Sequence, residues 1–77
     1  MNVIDKLPPG NGVIGVREIQ KGIARGEIKR VIIAKNCPDW LIRKLSSVTI
    51  DQFNGDEREL GTALSKQFAV AMAGFKE

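Results

Sequence analysis

The stretch Arg30-Val31-Ile32-Ile33-Ala34 is the strongest structural signal in the chain. Within it, Val31-Ile32-Ile33 is an uninterrupted β-branched run, which is typical of a strand that is buried on both faces. Such strands lie inside a sheet that helices cover on each side. The sequence therefore predicts a central strand over 30–34 in a layered α/β domain.

A helix is predicted before this strand, over Val16–Arg25. Its apolar residues Val16, Ile19 and Ile23 fall at helical spacing, and Gly26 stands where a C-terminal cap glycine belongs. The pair Val13-Ile14 is long enough only for a short strand. Residues 1–11 are called here the arm. The cluster Pro8-Pro9-Gly10-Asn11-Gly12 breaks regular structure, so we predict an entry segment or a tight turn there, with no helix or strand.

Further elements follow the central strand. The predicted order is a helix from Pro38 or Asp39 through Leu45, a turn at Ser46 and Ser47, a strand over Val48–Phe53, a helix over Glu57–Leu64 and a strand over Ala69–Phe75. Leu41 and Leu45 can face the core, and Trp40 is expected to be either a core residue or one that packs at the surface. Strands that alternate with short helices predict a mixed sheet within one domain, residues 1–77.

The charge balance favours an anionic partner without requiring one. Twelve Lys and Arg against nine Asp and Glu give a net charge of +3. The single cysteine allows no internal disulfide and fits a reducing compartment. No apolar run reaches the length of a membrane span and no signal-peptide pattern is present, so we expect a cytoplasmic protein with no membrane partner.

The residue inventory argues against an enzyme. There is no histidine and only one cysteine, so the usual metal-ligand sets and nucleophile–base pairs cannot be assembled within the chain. Asp51, Asp56, Glu57 and Glu59 lack the spacing of a calcium loop, and we expect them to be solvated or to lie near a helix start. No catalytic residue, metal site or cofactor is predicted.

One motif points the other way, but weakly. Gly10-Asn11-Gly12-Val13-Ile14-Gly15 matches the dinucleotide-binding fingerprint and precedes a helix. Two prolines, not a buried strand, come before it, and the predicted central strand ends at Ala34-Lys35-Asn36, where a ribose-binding acid would be expected. The context therefore disfavours a nucleotide cofactor.

A basic stripe runs along the first helix. Arg17, Lys21 and Arg25 recur at intervals of four and share one exposed side. At the helix start, Gly15 either serves the turn alone or also lets a ligand approach the backbone. Beside the stripe, the unpaired amides of the first turn would form an anion site. Glu18 is either a solvated helix residue or an acceptor for base amino groups.

Other candidate residues lie near predicted strand ends. Phe68 either closes the core or offers a platform for an unstacked base, and Lys66 and Lys35 would add positive charge at one end of the sheet. Cys37 precedes a proline and has no histidine partner, so we expect a packed residue and not a reactive thiol.

Several strings resemble a known family. They are Gly15-Val16-Arg17-Glu18-Ile19-Gln20-Lys21, Val31-Ile32-Ile33-Ala34-Lys35-Asn36-Cys37-Pro38 and Glu59-Leu60-Gly61-Thr62-Ala63-Leu64. They are similar to the archaeal and eukaryotic large-subunit ribosomal proteins 30e and 7Ae, nearer to the 30e branch. The resemblance implies a three-layer α/β/α sandwich that binds kink-turn or related internal-loop RNA in the ribosome or another ribonucleoprotein particle.

The resemblance also implies which residues contact RNA. The family's RNA-contacting helix start corresponds to Gly15, Arg17, Glu18 and Lys21. The connection after the central strand corresponds to Lys35, Asn36 and Cys37. The loop before the last strand corresponds to residues 65–68, of which Lys66 and Phe68 would contact the bulged nucleotide. The partners expected are structured RNA and other ribonucleoprotein proteins. The alternative is a protein–protein interaction module that keeps the fold without binding a kink-turn.

The chain departs from the family pattern in four respects. Full-length relatives usually begin with an additional helix, and their segment between Pro38 and Val48 is several residues longer. Ser65 replaces a common glycine, and Gln67 replaces an apolar residue. The chain is thus predicted to be a trimmed version of the fold with an altered loop at 65–68.

Overall fold

The computed structural model describes residues 1–45 and 48–76, and in these it contains five strands and three helices. The predicted turn at Ser46 and Ser47 lies outside the described residues. The elements in chain order are β1 (Val3–Ile4), β2 (Val13–Ile14), α1 (Val16–Ala24), β3 (Arg30–Ile33), α2 (Asp39–Ile42), β4 (Thr49–Phe53), α3 (Glu57–Ala63) and β5 (Met72–Phe75).

The strands form one mixed sheet in the order β1-β4-β3-β5-β2. β3 lies in the middle, where it pairs in parallel with β4 and antiparallel with β5. Val31 is level with Ile50 on one side and with Gly74 on the other. The central position predicted for this strand is confirmed.

Two apolar clusters show that helices cover both faces of the sheet. Val31 and Ile33 of β3 pack in a cluster with Ile19 of α1, to which α2 also contributes. Ile32, whose side chain points the other way, packs in a second cluster with Leu60 of α3. The molecule is therefore a three-layer α/β/α sandwich, as predicted.

The topology gathers several connections at one end of the sheet, called here the carboxyl end because β3 ends there. β2 and β4 also end at this end, and β5 begins there. Hydrogen bonds tie the connections together: the Ala34 amide donates to the Ala71 carbonyl, and the Lys35 amide donates to the Gly55 carbonyl, each at 2.8 Å. This end carries the α1 start and the connection after β3.

The arm contains a strand that the sequence did not predict. β1 pairs in parallel with β4 at the edge of the sheet, with Ile4 level with Phe53. Ile4 and Leu7 pack against the cluster on the α3 side of the sheet. The arm is thus part of the packed structure.

The prediction that Asp51 is solvated is wrong. This carboxylate is only 5% exposed; its Oδ2 accepts a hydrogen bond of 2.8 Å from Nε of Arg30 and forms an ion pair with Nη2, also at 2.8 Å. Its Oδ1 accepts a longer bond of 3.3 Å from the Asn2 amide. A buried carboxylate requires such partners. The Arg30–Asp51 pair joins β3 to β4, and the Asn2 amide joins the arm to β4.

Of the two positions expected for Trp40, the core is wrong, since its side chain is 60% exposed and lies at the surface. The helix α2 is a single turn that ends at Ile42, and tighter turns lead on to Leu45. Leu41, Ile42 and Leu45 occupy the side of this segment that packs on the sheet. Trp40 is left on the outer side.

Most other boundaries agree to within a residue, as helix and strand ends usually do. Two boundaries differ by three residues: α2, predicted through Leu45, ends at Ile42, and the last strand begins at Met72 and not at Ala69. The Val70 amide donates to the Glu57 carbonyl at the start of α3, and the Ala71 carbonyl accepts from Ala34. The Ala34–Ala71 bond follows the register of the β3–β5 pairing, whereas Val70 is bonded to α3, so residues 69 and 70 connect α3 to the sheet.

Candidate nucleic-acid interface

Gly15 sets the geometry at the start of α1. It is the N-cap residue with φ 94° and ψ 126°, a conformation that residues with a Cβ rarely adopt. A Cβ built there would meet nothing within 4 Å, so the backbone is also open to an approaching group. Both readings of Gly15 are therefore compatible with the structure. No side chain caps this helix start, which leaves its first amides for another acceptor.

The basic stripe (Arg17, Lys21 and Arg25) is exposed along α1, as predicted from its spacing. Lys21 lies 3.8 Å from Glu18 in an exposed ion pair, which contributes little to stability and is easily exchanged. The Lys21 ammonium can therefore turn to a polyanion at small cost. Glu18, on the same surface, keeps a carboxylate close to the α1 start.

Phe68 does not close the core, because its side chain is 58% exposed. It lies in the loop 65–71, which connects α3 to β5. Phe68 and Ala69 line a shallow cavity of about 280 Å³ together with Ile14, Gly15 and Val16. The structure thus brings together the helix start and the exposed aromatic, two features that are separated by some fifty residues in sequence.

Lys66 lies on the other side of Phe68. The two residues line a second shallow cavity of about 250 Å³ with Arg58 and Thr62. Arg58 was missed by the sequence reading, although Arg58, Thr62 and Lys66 recur at intervals of four, the spacing that identified the basic stripe. Ser65, just before Lys66, has φ 61°, a conformation that glycine adopts more easily.

Lys35 and Asn36 lie at the carboxyl end of the sheet, and both are exposed. The Asn36 Oδ1 accepts a hydrogen bond of 3.0 Å from the Glu57 amide at the start of α3. Asn36 thus has a structural role that the sequence did not indicate. Lys35 points its charge into solvent beside it.

Cys37, next in the chain, is half-buried, and burial raises the pKa of its thiol, with the nearby carboxylates of Glu57 and Asp39 adding to the effect. A raised pKa lowers the thiolate fraction at neutral pH. The packed, unreactive cysteine expected from the sequence agrees with this environment.

The glycine fingerprint occupies a different setting from that of a dinucleotide site. Its strand β2 has two residues and lies at the sheet edge, where it pairs antiparallel with β5. A dinucleotide site uses a parallel strand inside the sheet.

Within residues 1–45 and 48–76, no three His, Cys, Asp or Glu side chains come together as metal ligands. In the same part of the chain, every helix is too short or too polar to cross a bilayer.

Solved structures include a close match to this fold. A protein of unknown function from Bacillus halodurans C superposes with a TM-score of 0.74, and the match covers 87% of this chain and 72% of that one. The two sequences are 21% identical. At that identity the likeness supports the fold alone.

Curated relatives show higher identity. The large ribosomal subunit protein eL30 of Archaeoglobus fulgidus is 37% identical over 73 residues, which are 92% of this chain and 85% of that protein. The eL30 of Pyrobaculum calidifontis is 40% identical over 63 residues, covering 74% of this chain. The eL30 of Zea mays is 35% identical over 72 residues, covering 83%. The chain spans 62% of each of these last two proteins.

The family model agrees with these pairwise similarities. The model of the ribosomal protein L7Ae/L30e/S12e/Gadd45 family matches residues 3–77, which include β1 and every later element. The sandwich fold and the eL30 similarities point the same way, and the resemblance inferred from the sequence is confirmed: the chain belongs to the ribosomal protein L7Ae/L30e/S12e/Gadd45 family.

Proposed function

We propose that the chain binds structured RNA, with a kink-turn or related internal loop as its ligand, as a non-enzymatic component of the ribosome or another cytoplasmic ribonucleoprotein particle. The relatives named above are proteins of the large ribosomal subunit. The observation that carries the proposal is the cavity shared by Gly15 and Phe68. It combines uncapped helix amides and an exposed aromatic ring beside a basic stripe.

The α1 start and the basic stripe would hold the RNA backbone. Amides at a helix N-terminus favour anions, and the absence of a side chain at Gly15 lets a phosphate come close. Arg17 and Lys21 add the charge that dominates affinity for nucleic acids. Glu18 would accept a hydrogen bond from a base amino group and so contribute selectivity.

Phe68 would receive an unpaired base. An exposed ring is a sequence-tolerant stacking surface, and internal loops supply bases that are already unstacked. Lys66, with Arg58 beside it, would neutralise the phosphates on either side of that base. Lys35 adds a further cation at the carboxyl end, while Asn36 acts indirectly by fixing its connection to α3.

The test is a mobility-shift titration of the chain against a kink-turn RNA and a matched duplex without the internal loop, at near-physiological salt. We expect preferential binding of the kink-turn RNA. Lys21→Glu should weaken that binding roughly tenfold and reduce the salt dependence, because a phosphate contact is replaced by repulsion. Lys29→Glu is the matched control, since Lys29 is an exposed lysine just before β3, at the opposite end of the sheet.

Two results would count against the proposal. Equal affinity for the kink-turn RNA and the duplex would remove the internal loop as the ligand. Equal losses of RNA affinity for Lys21→Glu and Lys29→Glu would mean that Lys21 acts through the net charge of the chain and not through a specific contact.

Protein–protein docking is the second candidate function. Val3 on β1 is 61% exposed, and Val13 on β2 is also exposed, so both edges of the sheet present apolar residues. Edge strands can pair with an extended segment of a partner. Failure to bind either RNA, together with loss of a protein partner in a Val3→Lys variant, would favour this function.

A further inference from the structure

Trp40 is the largest side chain left in solvent by this fold. It lies on α2, and the Lys44 ammonium is 5.1 Å from the centroid of its ring. That distance allows a cation–π contact, which orients the ring without burying it. None of the RNA contacts proposed above uses Trp40.

The surroundings of Trp40 are basic. Arg43 and Lys44 are both exposed in the turns that follow α2, and Asp39 is the carboxylate on the helix itself. The Gln20 side chain of α1 donates a hydrogen bond of 3.4 Å to the Lys44 carbonyl. Because Arg17 lies three residues before Gln20, the Trp40 surface adjoins the side of α1 that carries the basic stripe.

We propose that Trp40, Arg43 and Lys44 form a second RNA contact, in which the indole ring stacks on an unpaired base of a single strand that flanks the kink-turn. This inference rests on the RNA-binding function proposed above. Because Lys44 already orients the indole ring, stacking of a base on it costs less conformational entropy than stacking on a side chain that must first be ordered. Arg43 and Lys44 would hold the phosphates on either side of the stacked base.

The charge of the surface favours RNA over a protein partner. Exposed tryptophans anchor many protein interfaces, but the centres of those interfaces are depleted of lysine. Here the ring is in contact with a lysine and is flanked by an arginine, and the surface continues into the basic stripe. An aromatic ring between cations is the arrangement found in single-strand binding grooves.

The composition provides a direct probe. Trp40 is the only tryptophan and the chain has no tyrosine, so its emission reports this one site. Two RNAs should be compared in fluorescence and mobility-shift titrations: a blunt-ended kink-turn RNA, and the same RNA with unpaired flanks of about eight nucleotides, a length that suits a single-strand groove. We expect the flanked RNA to bind more tightly and to quench the emission.

Substitution separates stacking from charge. Trp40→Ala should weaken binding of the flanked RNA by about 5- to 150-fold, the range for losing one stacked base, and should change binding of the blunt RNA much less. Trp40→Phe should recover most of the affinity, because it keeps a ring. Arg43→Glu should also weaken binding of the flanked RNA, and Lys29→Glu serves as the control for a change of charge elsewhere.

The outcomes distinguish this inference from the function on which it rests. The second contact would be overturned if the flanked RNA binds without changing the Trp40 emission, or if Trp40→Ala binds it with the affinity of the unsubstituted chain. Either result would leave the proposed function standing. Failure of both RNAs to bind would overturn both. Loss of a protein partner in Trp40→Ala, at unchanged RNA affinity, would assign the surface to protein docking. Because Trp40 is exposed, circular dichroism should show that every variant stays folded.

Discussion

Gly61, in the middle of α3, is a residue whose importance comes from one contact. It is buried, and a Cβ added there would meet the backbone carbonyl oxygen of Phe68. A glycine inside a helix normally destabilises it by about 0.5–1 kcal/mol relative to alanine. The close packing of α3 on the loop 65–71 is what requires glycine here, and the same packing holds Phe68 in its position.

We therefore expect Gly61→Ala to lower the free energy of unfolding by about 1–3 kcal/mol, against its helix propensity, because backbone must move to make room. Urea denaturation would measure it. Thr62→Ala, on the exposed side of the same helix, should change stability by less than about 0.5 kcal/mol. A stabilising Gly61→Ala would show that the loop 65–71 yields easily and does not fix Phe68.

Single residues were also where sequence reasoning failed. Asp51 lies in an alternating stretch that looked half-exposed, but its partner Arg30 is on a neighbouring strand, and only the strand register brings the two together. The position of Trp40 was left open between core and surface because a helix of four residues is too short for a periodicity that would assign its buried side.

At the scale of elements, the start of α3 is held by several side chains. The Asp56 Oδ1 accepts a hydrogen bond of 2.9 Å from the Glu59 amide, and the Glu59 Oε1 accepts one of 3.2 Å from the Asp56 amide. Asn36 accepts from the next amide, Glu57. This capping box stabilises a helix of only seven residues, a length at which an isolated helix is unstable in water.

Asp56→Ala should remove the box and lower the free energy of unfolding by about 1 kcal/mol. In a domain of this size that corresponds to a fall in Tm of about 5 °C, which differential scanning calorimetry resolves. Asp56→Ser is the matched control, because serine is also a strong N-cap and should retain most of the stability. Equal losses in the two variants would mean that the carboxylate acts by its charge and not by capping.

Elements were predictable in proportion to their local signal. β3 and α1 carry a long apolar run or clear helical spacing, and both were found where predicted. β1 has two residues, too few for a periodicity, and its existence depends on pairing with β4. The last strand was predicted too long because Ala69, Val70 and Ala71 are apolar, although the Val70 amide bonds to the Glu57 carbonyl of α3 and not to the sheet.

At the scale of the whole molecule, the candidate interface depends on topology. Spacing alone predicted the basic stripe, and the family resemblance indicated residues 65–68 of the loop before β5. That Gly15 and Phe68 line one cavity follows from the pairing of β2 with β5, which places the α1 start beside the end of that loop. A pairing between strands so far apart in the chain leaves no local pattern to read.

The arm links the two edges of the sheet. β1 lies at one edge and β2 at the other, and residues 7–12 pass the end of α3 between them. Ile4 and Leu7 pack on the cluster that contains Phe53 and Leu60. We therefore expect β1 and Leu7 to contribute to stability, while Gly15 and Phe68 of the candidate interface lie toward the opposite edge.

Two adjacent residues of β1 test this arrangement. Ile4 is partly buried against the cluster and Val3 is exposed, so Ile4→Ala should lower the free energy of unfolding by about 1–3 kcal/mol, and Val3→Ala by less than about 0.5 kcal/mol. Urea denaturation measures both. Because β1 and β2 are at opposite edges, folded Ile4→Ala should bind RNA as tightly as the unsubstituted chain. Equal and negligible effects on stability would mean that the arm contributes little to the fold; a selective loss of RNA affinity would place the arm in the interface.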